Sequence, residues 1–292
     1  MPGIKHAALW LLLPFLVIMG LFFVAPLLLV VGYSFMTDHY PGGVEWPMTL
    51  NAYIQIVYDR DFDGNMVFDW RYIEVFWRSV KLAGICSFLC LLAGFPMAYY
   101  MATRPQAQRN LWMMLVTIPF WTNLLIRTYS WMIILSNDGL VNNGLLALGV
   151  IKQPISLLYT DFAVGVGLLY SYLPFMVLPI YSTLERMDWR LVEAAADLYA
   201  TRWQTLWRVT IPLTMPGIVA GLILVFIPCI GSYLAPALLG GGQNMMLGNM
   251  IEAQFGAAGD WPFGSAASVA LMAVVMIGLM IMSRRGGLKE LV

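Results

Sequence analysis

The chain has 292 residues, 60% of them hydrophobic and 11% charged, and its formal net charge is zero. Soluble domains carry about 25% charged residues, so this balance, with a mean hydropathy of +0.76, excludes an ordinary soluble domain and indicates a polytopic membrane protein. The lack of any basic excess excludes a nucleic-acid binder, and three cysteines in apolar runs, Cys86, Cys90 and Cys229, exclude a disulfide framework and suit helix packing better than a metal site.

A membrane-crossing helix needs about 20 mostly apolar residues. Six segments qualify, at 8–34, 79–102, 110–135, 162–182, 212–234 and 264–283. The first contains the run Ala7 to Val31, which is longer than the apolar core of a cleaved signal peptide and reads as a retained span. The loop 35–78 follows and is rich in acids, among them Asp38, Glu45, Asp69 and Glu74. Within it, Asp59-Arg60-Asp61-Phe62-Asp63-Gly64 matches the start of a calcium loop, but Trp70 stands where the twelfth-position Glu belongs. A solvated acidic loop is the better reading, and no metal site is assigned.

Loop 103–109 holds Arg104 and Arg109. In the third segment Asn123 and Arg127 are four apart, on one helix face. Polar groups in a span are functional candidates. Arg127 would repel a cation, so it is expected to snorkel outward or to pair with an acid of another chain. The fourth and fifth segments carry Pro174, Pro179, Pro216 and Pro228, which spans tolerate when neighbours satisfy the freed carbonyls. These kinks shape either a pathway or simply a bent packing helix.

Loop 183–211 reads as two short helices. Asp188 is placed to cap the run Trp189 to Leu198, and Ala194 to Ala196 favour helix. Thr201 with Gln204 forms a capping-box pattern for a second helix running to Pro212. Gly217 and Gly221 in the fifth segment form a GxxxG, which favours close helix packing. Loop 235–263 has no Lys or Arg, and the tail has Arg284, Arg285 and Lys289. The distribution of basic residues puts loops 103–109 and 183–211 and both termini in the cytoplasm.

The chain lacks a G-x-x-x-x-G-K-[ST] phosphate loop, so any ATP-driven motor must be a separate protein. It has only two histidines, His6 and His39, and no G-x-S-x-G elbow, so it is not expected to be an enzyme. Neither intramembrane acids nor repeats support a channel or secondary transporter.

Glu193-Ala194-Ala195, Tyr199, Val209, Ile211 and Pro212 fall at the offsets of the signature of ABC importer permeases, E-A-A, three residues, Gly, nine residues, Ile, one residue, Leu-Pro. The segment therefore resembles that family. The resemblance implies an all-α, six-span permease of the type I importer class, occupying 1–292 as one domain, in the bacterial inner membrane. Loop 35–78 would be periplasmic and loop 183–211 the coupling loop that enters an ATPase subunit, with Glu193, Ala194, Ala195, Asp197, Tyr199 and Pro212 as its contacts. Tyr199 occupies the family's glycine position. It is either strained in a left-handed conformation or part of a rebuilt turn in which Tyr199 stays helical.

Phe120-Trp121-Thr122-Asn123, Leu173-Pro174-Phe175-Met176, Ile211 to Ile218 and Asp260-Trp261-Pro262 resemble the first permease subunit of spermidine/putrescine importers. This implies a second permease subunit, two ATPase subunits holding Mg-ATP, and a periplasmic solute-binding protein, with no cofactor in this chain. A polyamine favours aromatic faces and carboxylates. Trp121, Asn123, Tyr129, Tyr170, Tyr172, Ser232 and Tyr233 are the pathway candidates, and the predicted spans contain no carboxylate; some relatives have Glu at the position of Ser232. The rings serve equally as an interfacial belt. An amino-acid or opine-like solute is the alternative cargo.

Overall fold

The computed structural model describes residues 12–39, 42–60, 66–242 and 245–284. Twelve helices are present among them. They are α1 (Leu12–Tyr33), α2 (Asn51–Gln55), α3 (Arg71–Ala102), α4 (Gln106–Trp121), α5 (Leu124–Leu135), α6 (Leu140–Ala147), α7 (Asp161–Glu185), α8 (Arg190–Asp197), α9 (Arg202–Ile230), α10 (Leu234–Leu239), α11 (Leu247–Phe255) and α12 (Trp261–Arg284). Five of them, α1, α3, α7, α9 and α12, are long and apolar enough to cross a membrane. The chain is a helical membrane protein.

The contacts divide the chain into two compact units, 1–74 with 250–276, and 75–249 with 277–292. In the first unit, α1 is apolar on every side, and its most apolar stretch buries nothing against the described residues of this chain. The following segment is not wholly irregular. Thr37–Asp38 (β1) pairs with Val44–Glu45 (β2), and Tyr58–Arg60 (β3) pairs with Met66–Phe68 (β4), both antiparallel. The Ser34 and Tyr53 hydroxyls meet at 2.8 Å. Asp69 accepts from the backbone N–H and the guanidinium of Arg71 at the start of α3, and that guanidinium holds its carboxyl below its ordinary value. Asp260 accepts the Phe263 N–H at 2.9 Å and caps α12; burial pushes its carboxyl up.

The second unit is organised on the pair α7 and α9. A Cβ at Gly217 would lie 2.4 Å from Thr183 Oγ1 and 2.7 Å from the Pro179 carbonyl, and one at Gly221 would lie 2.8 Å from Met176 Sδ. The GxxxG is therefore the seam along which α9 lies on α7, as its spacing suggests. Gly94 of α3 meets Met176 from another side. Met176, Val177, Ile180 and Leu184 are fully buried.

Two expected boundaries are wrong. The segment 110–135 is not one helix. It breaks into α4 and α5 at Thr122 and Asn123, whose ψ values of 148° and 134° are extended. The Asn123 side chain accepts the Leu125 N–H at 2.8 Å, so it caps a new helix. At about 1.5 Å per residue, neither piece matches the roughly 30 Å hydrocarbon core alone. Conversely, the fifth segment does not begin at 212. It is continuous from Arg202 and ends at Ile230. Its helix widens into a π turn at Leu206–Thr210 just before Pro212.

Candidate functional site

The hairpin between α7 and α9 is built from local rules. Asp188 Oδ1 accepts the Arg190 N–H at 3.0 Å, which satisfies a donor of the first turn of α8. Asp188 does so from one residue outside the expected cap position: the helix proper covers Arg190 to Asp197, and its cap residue is Trp189, which makes no side-chain capping bond. Trp189 anchors its base, with its ring edge-on to Tyr99 of α3 at 5.9 Å, and Tyr99 stacks on Phe95 at 6.4 Å.

At its other end α8 closes on itself. The Tyr199 N–H donates to the Ala196 carbonyl at 2.9 Å and the Ala200 N–H to the Ala195 carbonyl at 3.0 Å. These two bonds form the Schellman closure, which requires a left-handed residue after the cap. That residue is Tyr199, with φ of 59°. The version in which Tyr199 stays helical is therefore overturned, and the strained one stands, at a cost of about 1–2 kcal/mol. Thr201 then starts α9. Its hydroxyl accepts the Gln204 N–H at 3.3 Å, and Gln204 Oε1 accepts the Thr201 N–H at 2.8 Å. The capping box is complete. The second short helix is not a separate unit, because it runs without interruption through the π turn and Pro212.

The result is a rigid knob. Glu193, Ala194 and Asp197 are exposed and Ala195 is half-buried. Tyr199, at the tip, is 96% exposed. A cavity of about 520 Å³ opens at the base between α7 and α9, lined by Thr183, Arg186, Asp188, Leu191 and Gly217 among others.

The pathway candidates are only partly brought together. The Tyr172 hydroxyl donates to the Pro228 carbonyl at 3.1 Å. Tyr172, Phe175 and Phe120 form a chain of rings at 6.2 and 5.2 Å. Tyr170 packs edge-on to Trp131 at 5.7 Å. Trp121, by contrast, is 83% exposed, and Tyr129 and Tyr233 are half-exposed. Asn123 is occupied as a helix cap. In Arg127, Nε and Nη1 are buried with no hydrogen-bond partner among the described residues.

The sequence reading missed the clamp that holds the end of α9. Asn249 Nδ2 donates to the Tyr233 carbonyl at 2.6 Å. A Cβ at Gly248 would lie 2.5 Å from the Gly231 carbonyl, so only glycine fits. The Leu247 N–H donates to Ser79 Oγ at 2.8 Å. The dipeptide Gly248-Asn249 was the one available signal. Among the described residues no group of three His, Cys, Asp or Glu side chains is arranged to hold a metal ion. Asp61 and Asp63 lie outside the described residues.

Residues 92–286 match the family described as binding-protein-dependent transport system inner membrane component. The chain is 43% identical over 262 residues, 90% of its length and 87% of the relative's, to the spermidine/putrescine transport system permease protein PotB of Salmonella typhimurium strain SL1344. It is 42% identical to the protein of that name in Escherichia coli K12, with 90% of each chain covered. It is also 30% identical over 231 residues, covering 75% of this chain and 73% of the relative, to the inner membrane ABC transporter permease protein YdcU of Escherichia coli K12. Among solved structures, a chain of a bacterial alginate ABC transporter in complex with a pentasaccharide-bound periplasmic protein superposes with a TM-score of 0.73 at 19% identity, covering 97% of this chain and 96% of that one. A chain of the MetNI methionine ABC transporter gives 0.56 at 19% identity, covering 74% and 94%.

Proposed function

This chain belongs to the family of inner membrane components of binding-protein-dependent transport systems, and from that premise we propose that the solute it passes is a polyamine, spermidine or putrescine. The chain is a multi-pass, non-catalytic permease of an ABC importer. The polyamine reading is carried by the near full-length similarity to permeases bearing that name. The working assembly contains a second permease subunit, two ATPase subunits that hold Mg-ATP, and a periplasmic solute-binding protein. Six crossings make up the permease, with α4 and α5 together forming the third. Both termini and the 183–211 hairpin are cytoplasmic, and residues 35–78 face the periplasm.

The hairpin transmits force. Glu193, Ala194, Ala195, Asp197 and Tyr199 enter a groove on an ATPase subunit, and Pro212 marks where α9 passes from the hairpin into the span. Mechanically the design is short. The knob is covalently continuous with α9, and four residues, Arg186 to Trp189, separate it from α7. The glycine seam ties α7 to α9. A push on the tip is thus delivered to two spans that move as one, which alternates access to the pathway. Tyr172, Ser232, Tyr170, Trp121, Asn123, Tyr129 and Tyr233 line that pathway. Rings and hydroxyls there suit a polyamine through cation–π contact and hydrogen bonding.

Two measurements test this reading. The cognate periplasmic binding protein should bind spermidine or putrescine, and the reconstituted complex should accumulate the labelled polyamine with ATP. Binding of an amino acid instead, with no polyamine uptake, would reassign the cargo. Glu193→Lys should abolish solute-stimulated ATP hydrolysis. Full stimulation in that variant would remove the hairpin from coupling.

A further inference from the structure

Two residues other than glycine have positive φ among the described residues, Tyr159 at 63° and Tyr199 at 59°. Their settings differ. Tyr159 is held by the fold. Its N–H donates to the Leu239 carbonyl at 2.9 Å, and its ring fills the space a Cβ at Gly241 would need. Strain persists where surrounding structure over-determines it. Tyr199 has no comparable support. Its ring is 96% exposed, next to Leu198 at 81%. Glycine would close the same turn without steric cost, so nothing in the turn itself calls for a ring.

The display is nevertheless rigid on both flanks. The Schellman bonds fix the residue from the α8 side and the Thr201–Gln204 box fixes it from the α9 side. Its surroundings carry both signs. Glu193 and Asp197 lead up to the tip on α8, and Arg202 stands three residues past it on α9, all three exposed. Charge alone therefore sets no partner here, and the apolar ring beside Leu198 is the distinctive feature of the tip. A protein surface with an apolar pocket complements it.

We propose that Tyr199 is a specificity anchor, a ring that inserts into an apolar pocket of this permease's own ATPase subunit and matches the hairpin to that ATPase. The inference rests on the coupling reading above and adds a residue and a pocket chemistry to it. The strain at φ 59° is then a cost kept because the buried ring returns more on docking.

The test titrates the purified cognate ATPase onto the permease heterodimer in nanodiscs. Tyr199→Gly and Tyr199→Asn both keep a residue that tolerates the left-handed turn. Both should leave the melting temperature of the permease unchanged or higher and weaken ATPase affinity by about tenfold or more. Tyr199→Phe should stay within about twofold of the parent, since the ring is what is buried. Affinity of both ring-less variants within about twofold of the parent would overturn the proposal. So would a loss seen only in anionic nanodiscs and not in neutral ones, because the ring would then be reading headgroups. Glu193→Lys separates the two levels. If it abolishes binding while Tyr199→Gly does not, only the anchor falls. If it too binds normally, the coupling reading falls with it.

Discussion

Pro119 and Pro212 sit in similar apolar surroundings, yet the helix ends two residues after the first and runs for eighteen residues past the second. Proline removes one N–H and its ring collides with the carbonyl four residues back. At Pro212 the chain answers by widening. The Ile211 N–H reaches back to the Leu206 carbonyl, a five-residue π step, and the helix passes on. The same answer appears in α1, where the Ala25 N–H bonds to the Gly20 carbonyl one residue before Pro26. At Pro119 the helix instead stops, because polar groups immediately downstream stabilise the break. The Thr122 hydroxyl donates back to the Pro119 carbonyl at 2.7 Å, and Asn123 caps α5. Proline weakens a helix at a point; at Pro119 the downstream side chains secure the break, whereas at Pro179 the Thr183 hydroxyl donates to the Pro179 carbonyl at 3.0 Å and α7 runs on.

The largest expected effect comes from attacking what keeps α9 whole. Gly217→Val places carbon against Thr183 Oγ1 and the Pro179 carbonyl. It should destabilise the permease by about 1–3 kcal/mol in thermal unfolding. Gly165→Ala in α7, where a Cβ meets nothing within 4 Å, should be neutral or stabilising by up to about 1 kcal/mol. Equal losses in the two variants would mean that the seam is not special. Next, Asn123→Ala removes the cap that makes the break. A loss of about 1 kcal/mol is expected, with faster hydrogen exchange at the Leu125 amide; Asn123→Asp should restore both. No change in either would assign the break to packing rather than to the cap. The smallest effect concerns a third junction, the start of α3. The Asp69 carboxyl is held below its ordinary 3.8 by the Arg71 guanidinium. Its contribution is therefore complete above that value and is lost as pH falls through the lower folded one. Asp69→Asn should flatten the acid limb of a stability–pH curve. An unchanged limb would show that the pair contributes nothing.

These junctions also show what could be read in advance. Apolar runs near 20 residues long located α3, α7, α9 and α12, because a bilayer imposes length and apolarity directly on the sequence. Their ends were less legible. α3 starts at Arg71, eight residues before the expected 79, since helix persists into water without an apolar marker. The Thr201–Gln204 box was legible because both partners lie within one turn. The left-handed slot at Tyr199 was legible as a position, but which way the residue resolved it was not. Beyond the dipeptide Gly248-Asn249, nothing local points to Asn249 holding the Tyr233 carbonyl or to Ser79 receiving the Leu247 N–H across 168 residues. The orphan nitrogens of Arg127 belong to the same class, since burial is a property of the fold.

The π turn at Leu206–Thr210 has an angular consequence. It holds one residue more than an α turn would, and each residue advances a helix by about 100°. Everything before it, Tyr199 included, is therefore rotated by about that much around the α9 axis relative to Gly217 and Gly221, while the height along the axis changes by less than about 1.5 Å. The wide turn works as a phase setting. It determines the compass direction in which the knob projects, independently of how α9 sits on α7: closing it to α geometry with every residue kept would leave the seam in register and point the tip elsewhere, whereas deleting one residue there would remove the bulge and leave the direction of the tip unchanged.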